Sequence, residues 1–256
     1  MDSNKYYSES IKLLDNFLEE TQEVLIPLSP EFKSWKERII FNLLNQSSTN
    51  LYILLSNSDK SQFVKEKFGL DPVFIGAIGR ILRDIYVNII YLKSDIYSAD
   101  QMQDCWNYQI DFTRKKLTSL LGDTGDNREL EILDEKIQEN LNKLNVLTFE
   151  TKGRVIQGLD EKLLSLNQLA NLKNFDKHKF HTEFSYFSQF THSTAFANNL
   201  ITEKGIDFNV IADLYGRIVP YYVGIVTECL ESFDPDHIQY QDLNNNYEKI
   251  ISKRWK

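Results

Sequence analysis

This chain of 256 residues is short of the residues that break, staple or flatten a fold: 10 glycines, 5 prolines and 2 cysteines. Glycine and proline together fall well below ordinary usage, which excludes collagen-like, linker-rich and turn-dense all-β chains. Two cysteines, Cys105 and Cys229, lie far apart in apolar helical patterns, so neither a disulfide framework nor a zinc knuckle is available, and they read as small core residues of a reduced cytosol. Positive charge is also in deficit. With 37 acidic against 29 basic residues the net charge is −8, which opposes attraction to phosphate backbones and anionic membranes. Nucleic acid is therefore a disfavoured partner, and the short basic runs at Arg114-Lys115-Lys116, Lys177-His178-Lys179 and Lys253-Arg254 read as solvated faces. No long uncharged apolar run occurs: the nearest to a membrane span, Pro72 to Leu92, has Arg80, Arg83 and Asp84 at its middle, where charge is costly in lipid. The N-terminus lacks the basic-then-apolar order of a signal peptide, which points to a cytoplasmic protein.

What is present is apolar periodicity of three and four residues, carried by a 42% hydrophobic composition. The expected fold is all-α, a single-domain multi-helix bundle over residues 1–235 with a buried central helix at about 72–95 and a polar C-terminal tail at 236–256. Tyr7, Ile11, Leu14, Leu18 and Leu25 form a first stripe running up to Pro27. Ser29-Pro30 then restarts the chain, with Trp35, Ile39 and Leu43 continuing the apolar face. Asp71-Pro72 supplies a cap and a first-turn proline for the most apolar segment, on which Gly76, Gly79, Arg80, Arg83, Asp84 and Asn88 share one strip; glycine there permits close approach of a backbone or ligand. Ser98 to Asp100 caps a helix ending at Gly122, and Leu130, Leu133, Ile137, Leu141 and Leu144 repeat like a coiled-coil seam under a charged outer surface. Residues 149–158 look like an irregular, mobile connection. A last apolar helix spans about 208–233 and contains Pro220.

Three of the four histidines, His178, His181 and His192, fall in one aromatic stretch that divides on a helix into two faces. His178, His181, Ser185, Ser188 and His192 share one side; Phe180, Phe184 and Phe187 take the other, with Phe190 flanking. A straight helix sets His192 about 16 Å along its axis from His181, which excludes one metal ion held by all three. His178, His181 and Glu183 make only a weak ligand pattern, and no metal or cofactor is expected. Ser188 and His192 at i,i+4 suggest a nucleophile and base, but no Gly-x-Ser-x-Gly elbow, P-loop or Rossmann glycine pattern accompanies them. Arg80 and Asp84, also four apart, read either as a structural ion pair or as an anion-binding arginine with its orienting carboxylate.

Arg80-Ile-Leu-Arg-Asp84 in an apolar helix, with Tyr186-Phe-Ser-Gln-Phe-Thr-His192 far downstream, resembles an uncharacterised bacterial family of helical proteins that combines an Arg-x-x-x-Glu helix with a late Leu-Ser-x-x-x-His segment. The resemblance covers roughly residues 71–197, with Asp84 standing for the glutamate and Phe187 for the leucine. It implies a bundle in which Arg80, Asp84, Ser188 and His192 converge, and an association with phage defence or mobile elements, but no reaction. The arginine-then-histidine spacing of the HEPN-type ribonucleases is missing. Two readings follow. In the first the chain is a binding module in which Arg80, Arg83, Asn88, Ser188 and His181 meet a small anionic ligand or a protein partner, self-association included. In the second, a hydrolase or nuclease, His192 is the general acid or base, Arg80 stabilises negative charge and Asp84 assists.

Overall fold

The computed structural model describes residues 3–22, 32, 34–58, 71–120, 127–156, 162–191, 201–202, 205–206, 208–233, 245 and 249. The architecture is the expected all-α bundle. Its helices are α1 (Ser3–Glu20), α2 (Trp35–Ser58), α3 (Pro72–Lys93), α4 (Ala99–Leu120), α5 (Asn127–Lys143), α6 (Phe149–Ile156), α7 (Leu166–Leu172), α8 (Lys177–Thr191) and α9 (Phe208–Phe233). A short antiparallel pair, β1 (Ile201–Thr202) with β2 (Gly205–Ile206), joins Ile201 to Ile206 and Thr202 to Gly205. No described helix is long and apolar enough to cross a membrane.

Side chains from just outside the helices start most of them. The Asp71 carboxylate accepts from the Val73 amide at 2.9 Å ahead of Pro72, as that dipeptide predicts. Ser98 and Gln101 cap each other reciprocally at the head of α4, and Ser165 and Gln168 do the same for α7. Ser34 caps α2; the expected start at Ser29-Pro30 lies outside the described residues, as do Leu25, Pro27, Gly122, Lys253 and Arg254. At the end of α7 Asn174 takes φ 55°, while the Phe175 amide donates to the Ala170 carbonyl and the Asn174 amide to that of Asn171; this is a Schellman stop with asparagine in the left-handed position.

The contacts group the chain into two compact units, residues 1–90 with 170–256 and residues 91–169. In the first, α9 is apolar all round: every residue from Ile218 to Leu230 is buried, so the helix runs through Pro220 as an element of the core. α1 packs on α9 and α2, with Tyr7 edge-on to Tyr215 at 5.1 Å between ring centroids. A chain of hydroxyls stitches the same three segments: Ser48 meets Tyr222 at 3.1 Å, and Tyr222 donates to Thr21, which donates to the Phe17 carbonyl. α3 buries Ile75, Leu82, Tyr86, Ile89 and Ile90, each at 2% exposure or less.

In the second unit α4 and α5 form a hairpin. Leu133, Ile137 and Leu144 are buried along the predicted seam, and Arg114 reaches Glu129 across the pair at 2.5 Å. Cys105 is buried and free here, as Cys229 is in α9. Residues 149–156, expected to be irregular, are instead the helix α6. Thr148 accepts from the Thr151 amide to cap it, Val155 is buried, and the Val155 carbonyl accepts from the Gln109 side chain; a cap and two anchors outweigh the one glycine, Gly153.

Candidate functional site

Helix α8 begins at Asp176, whose carboxylate accepts from the Lys179 amide at 2.9 Å; that bond and the cationic neighbours hold its pKa below the usual value. From there the two faces separate as the spacing predicts except at Phe184, which belongs to the aromatic face by angle but lies half-buried under Arg80 and Arg83. Phe180, Phe187 and Phe190 are fully buried, whereas His178 and Ser185 are exposed and His181, Phe184 and Ser188 are half-buried. Burying three phenylalanines contributes about 2 kcal/mol each, enough to fix the helix axis. The α3 glycines set the approach. A β-carbon on Gly76 would stand 2.3 Å from Phe190 Cβ, and one on Gly79 2.3 Å from the Phe187 ring, so the glycine strip admits aromatic side chains of α8.

That approach brings polar groups of α3 and α8 together. Arg80 donates through Nε to Asp84 at 2.8 Å and through Nη1 to Ser188 Oγ at 2.5 Å. Ser188 in turn donates to the Phe184 carbonyl at 2.9 Å, so its hydroxyl is oriented as an acceptor for the guanidinium. Arg83 donates through Nη1 to the other Asp84 oxygen at 2.9 Å. The Phe184 ring carries both cations, with the Arg80 guanidinium carbon 3.9 Å and that of Arg83 4.6 Å from its centroid. Among the described residues two guanidiniums face one carboxylate, a net charge of +1.

The two arginines differ in surroundings. Arg80 and Asp84 have side chains 23% and 44% exposed, and Arg83 only 2%. Burial pulls the Arg83 pKa below its ordinary value, against the support of the Tyr221 phenol and then of Asp84, and with the repulsion of Arg80. Arg83 Nε and Nη2 are buried and have no hydrogen-bond partner among the described residues. Those two nitrogens lie on one edge of the guanidinium and point their N–H bonds in parallel, the fork that takes two oxygens of a carboxylate or phosphate. Asn88, one turn beyond Asp84, has a buried Oδ1 that is likewise without a partner among the described residues.

Of the residues singled out from sequence, Arg80, Arg83, Asp84 and Ser188 are thus in mutual contact, Asn88 lies on the same helix, and His181 is on α8 three residues before Phe184. His192 lies outside the described residues. No cluster of three or more metal-ligating side chains occurs among the described residues.

On its other flank α8 meets a second cluster that the sequence reading passed over. Arg217 of α9 donates to Asp213 at 2.6 Å and to Glu183 at 2.7 Å, and stacks 4.1 Å over the Tyr186 ring; Tyr186 donates to Asp213 at 2.9 Å. Burial works against the Arg217 charge, but the bond to Asp213 and the charge of Glu183 outweigh it and raise its pKa. Burial followed by Asp213 pushes the Tyr186 phenol far above its ordinary value. The available signal was Asp213 and Arg217 at i,i+4 in an otherwise apolar helix, the spacing of Arg80 and Asp84 in reverse.

Comparison with family models, with curated proteins and with solved structures gives no match for this chain.

Proposed function

We propose that this chain is an anion-binding helical protein whose site is the α3 pair Arg80 and Arg83, with Asp84 and Ser188 holding the arginines in place. The observation that carries the reading is the Nε and Nη2 edge of Arg83, at 2% exposure and without a hydrogen-bond partner among the described residues. A buried donor on a charged group that goes unmade costs about 1–3 kcal/mol or more, and two on one edge are supplied together by two oxygens of one anion. Arg80 and Asp84 form the solvent-facing rim, and Arg83 forms the buried end.

The test is thermal unfolding of the full chain against increasing concentrations of phosphate, sulfate and acetate at constant ionic strength. A ligand that binds only the folded state at one hundred times its Kd adds about 2.7 kcal/mol. At least one oxyanion raises the midpoint of the wild type in a saturable way, and Arg83→Met, apolar and of similar length, abolishes the rise. An equal rise in the variant, or none in the wild type, refutes the reading.

A further inference from the structure

We infer that the site selects an oxyanion that still carries a proton, hydrogenphosphate or a singly protonated phosphate monoester, and refuses sulfate. This rests on the anion-binding reading above and adds which oxyanion is taken. The cluster offers donors and acceptors side by side. Its donors are the free edge of Arg83 and the half-buried Arg80. Its acceptors are the two Asp84 oxygens, each engaged by one guanidinium N–H among the described residues and so with a second lone pair to offer, and the buried Oδ1 of Asn88 one turn on.

A fully ionised oxyanion brings acceptors only. It satisfies Arg83 but sets its charge against Asp84 and leaves the Asn88 oxygen unmet. An oxyanion with one P–OH group turns the same carboxylate from a repulsive neighbour into a hydrogen-bond acceptor. The cluster on α9 does not compete for such a ligand: two carboxylates surround its one guanidinium, and the Tyr186 hydroxyl already donates to Asp213.

The experiment is calorimetric titration of the full chain with inorganic phosphate, sulfate and methyl phosphate at matched ionic strength. A phosphate monoester has a second pKa of about 6, so methyl phosphate keeps its proton at about pH 5.5 and has lost it at about pH 8, whereas inorganic phosphate retains one at both. Among the described residues the ionisable groups at the cluster are Arg80, Arg83 and Asp84 from α3 and Tyr221 from α9, which acts on Arg83; His181 lies on α8. Any charge the protein gains or loses between the two pH values acts on phosphate and sulfate alike, so the ratio of affinities is read at each pH.

Phosphate binds at least about tenfold tighter than sulfate at both values, the worth of one hydrogen bond to a charged group. Methyl phosphate follows phosphate under acid conditions and sulfate under alkaline ones. In Asp84→Asn, whose amide can donate to sulfate, the preference shrinks to about threefold or less. Circular dichroism verifies that this half-exposed change leaves the fold intact, and Asn88→Leu is the second variant, with the same loss of preference expected. Equal binding of phosphate and sulfate, or a full preference retained in both folded variants, overturns the inference while the anion site stands. Absence of binding by every oxyanion overturns both.

Discussion

Replacing Gly76 with alanine tests the packing on which the whole site depends, and the structure fixes the sign of the effect. The added methyl would stand 2.3 Å from Phe190 Cβ and 2.6 Å from its Cγ. Carbon atoms rest about 3.5–4.0 Å apart, so the overlap exceeds about 1 Å. Phe190 Cβ is fixed to the α8 backbone and its ring is fully buried, so no rotation of that side chain relieves the contact; α8 itself has to move. Overpacking of this kind costs about 1–3 kcal/mol, and the upper end applies because a helix is displaced. Against it stands a gain of about 1 kcal/mol from alanine's helix propensity. The net loss is about 2 kcal/mol, or about 4–8 °C in a chain of this size. Ser188 is two residues from Phe190, so the same displacement draws it from Arg80 and is expected to weaken the proposed anion binding.

Gly153→Ala is the internal control. Nothing lies within 4 Å of a β-carbon at that position, so the propensity gain stands alone and the variant is stabilised by up to about 1 kcal/mol. Thermal and urea unfolding followed by circular dichroism compare the two variants with the wild type. Gly76→Ala equal to or more stable than the wild type would refute the packing of α8 on α3, and with it the site.

Two further outcomes follow from groups with displaced pKa values. The Tyr222 hydroxyl, pushed up to about 12 mainly by burial, stays protonated in the folded state after the unfolded chain begins to ionise near about 10. Its contribution is whole below about pH 10 and is lost as pH rises through the folded value. Tyr222→Phe therefore costs about 1–3 kcal/mol at neutral pH by orphaning Thr21 and Ser48, and removes that alkaline decline in urea unfolding; an unchanged alkaline slope counts against it. Asp176 shows the opposite sign. Its pKa is lowered by the cap bond, so its contribution is present above the ordinary carboxylate value and lost as pH falls through the folded one. Asp176→Asn keeps a capping oxygen and flattens that acid limb, and an acid limb as steep as the wild type's is the result that refutes the role.

Local chemistry was the legible part of the sequence. Asp71-Pro72 and Ser98 mark real helix starts because a cap needs only its own side chain and the next amides. Most of the two faces of α8 could be read from angular spacing alone, which is why Phe180 and Phe187 are buried as expected and Ser188 is available to Arg80, though Phe184 is only half-buried. What spacing does not carry is depth. Arg80 and Arg83 are three apart on one strip, yet their exposures are 23% and 2%, a difference set by where Phe180 and Phe184 arrive from a helix about a hundred residues later. The strip glycines signalled close approach, but that the visitors are phenylalanine side chains is a tertiary fact. α6 was missed because a glycine in an eight-residue segment masks a weak periodicity, while the evidence for the helix sits in its cap and in the contacts of Gln109.

The two arginine clusters on either side of α8 show why one is read as a site and the other as a clamp. Each has an arginine paired with an aspartate four residues away on its own helix, a second hydrogen bond to α8, and an aromatic ring of α8 under the guanidinium. Geometry alone does not distinguish them; the charge count does. At Arg217 two carboxylates and a phenol surround one cation, so its positive charge is already answered within the protein. At Arg80 a second guanidinium is brought in, buried, and given one bond to a carboxylate it shares. If joining helices were the only purpose, Arg83 would be a poor choice, since an apolar side chain of the same volume fills such a position without the desolvation cost of a buried charge. Among the described residues the second cation and the edge of Arg83 without a partner go unanswered, and the proposed anion is what would answer both.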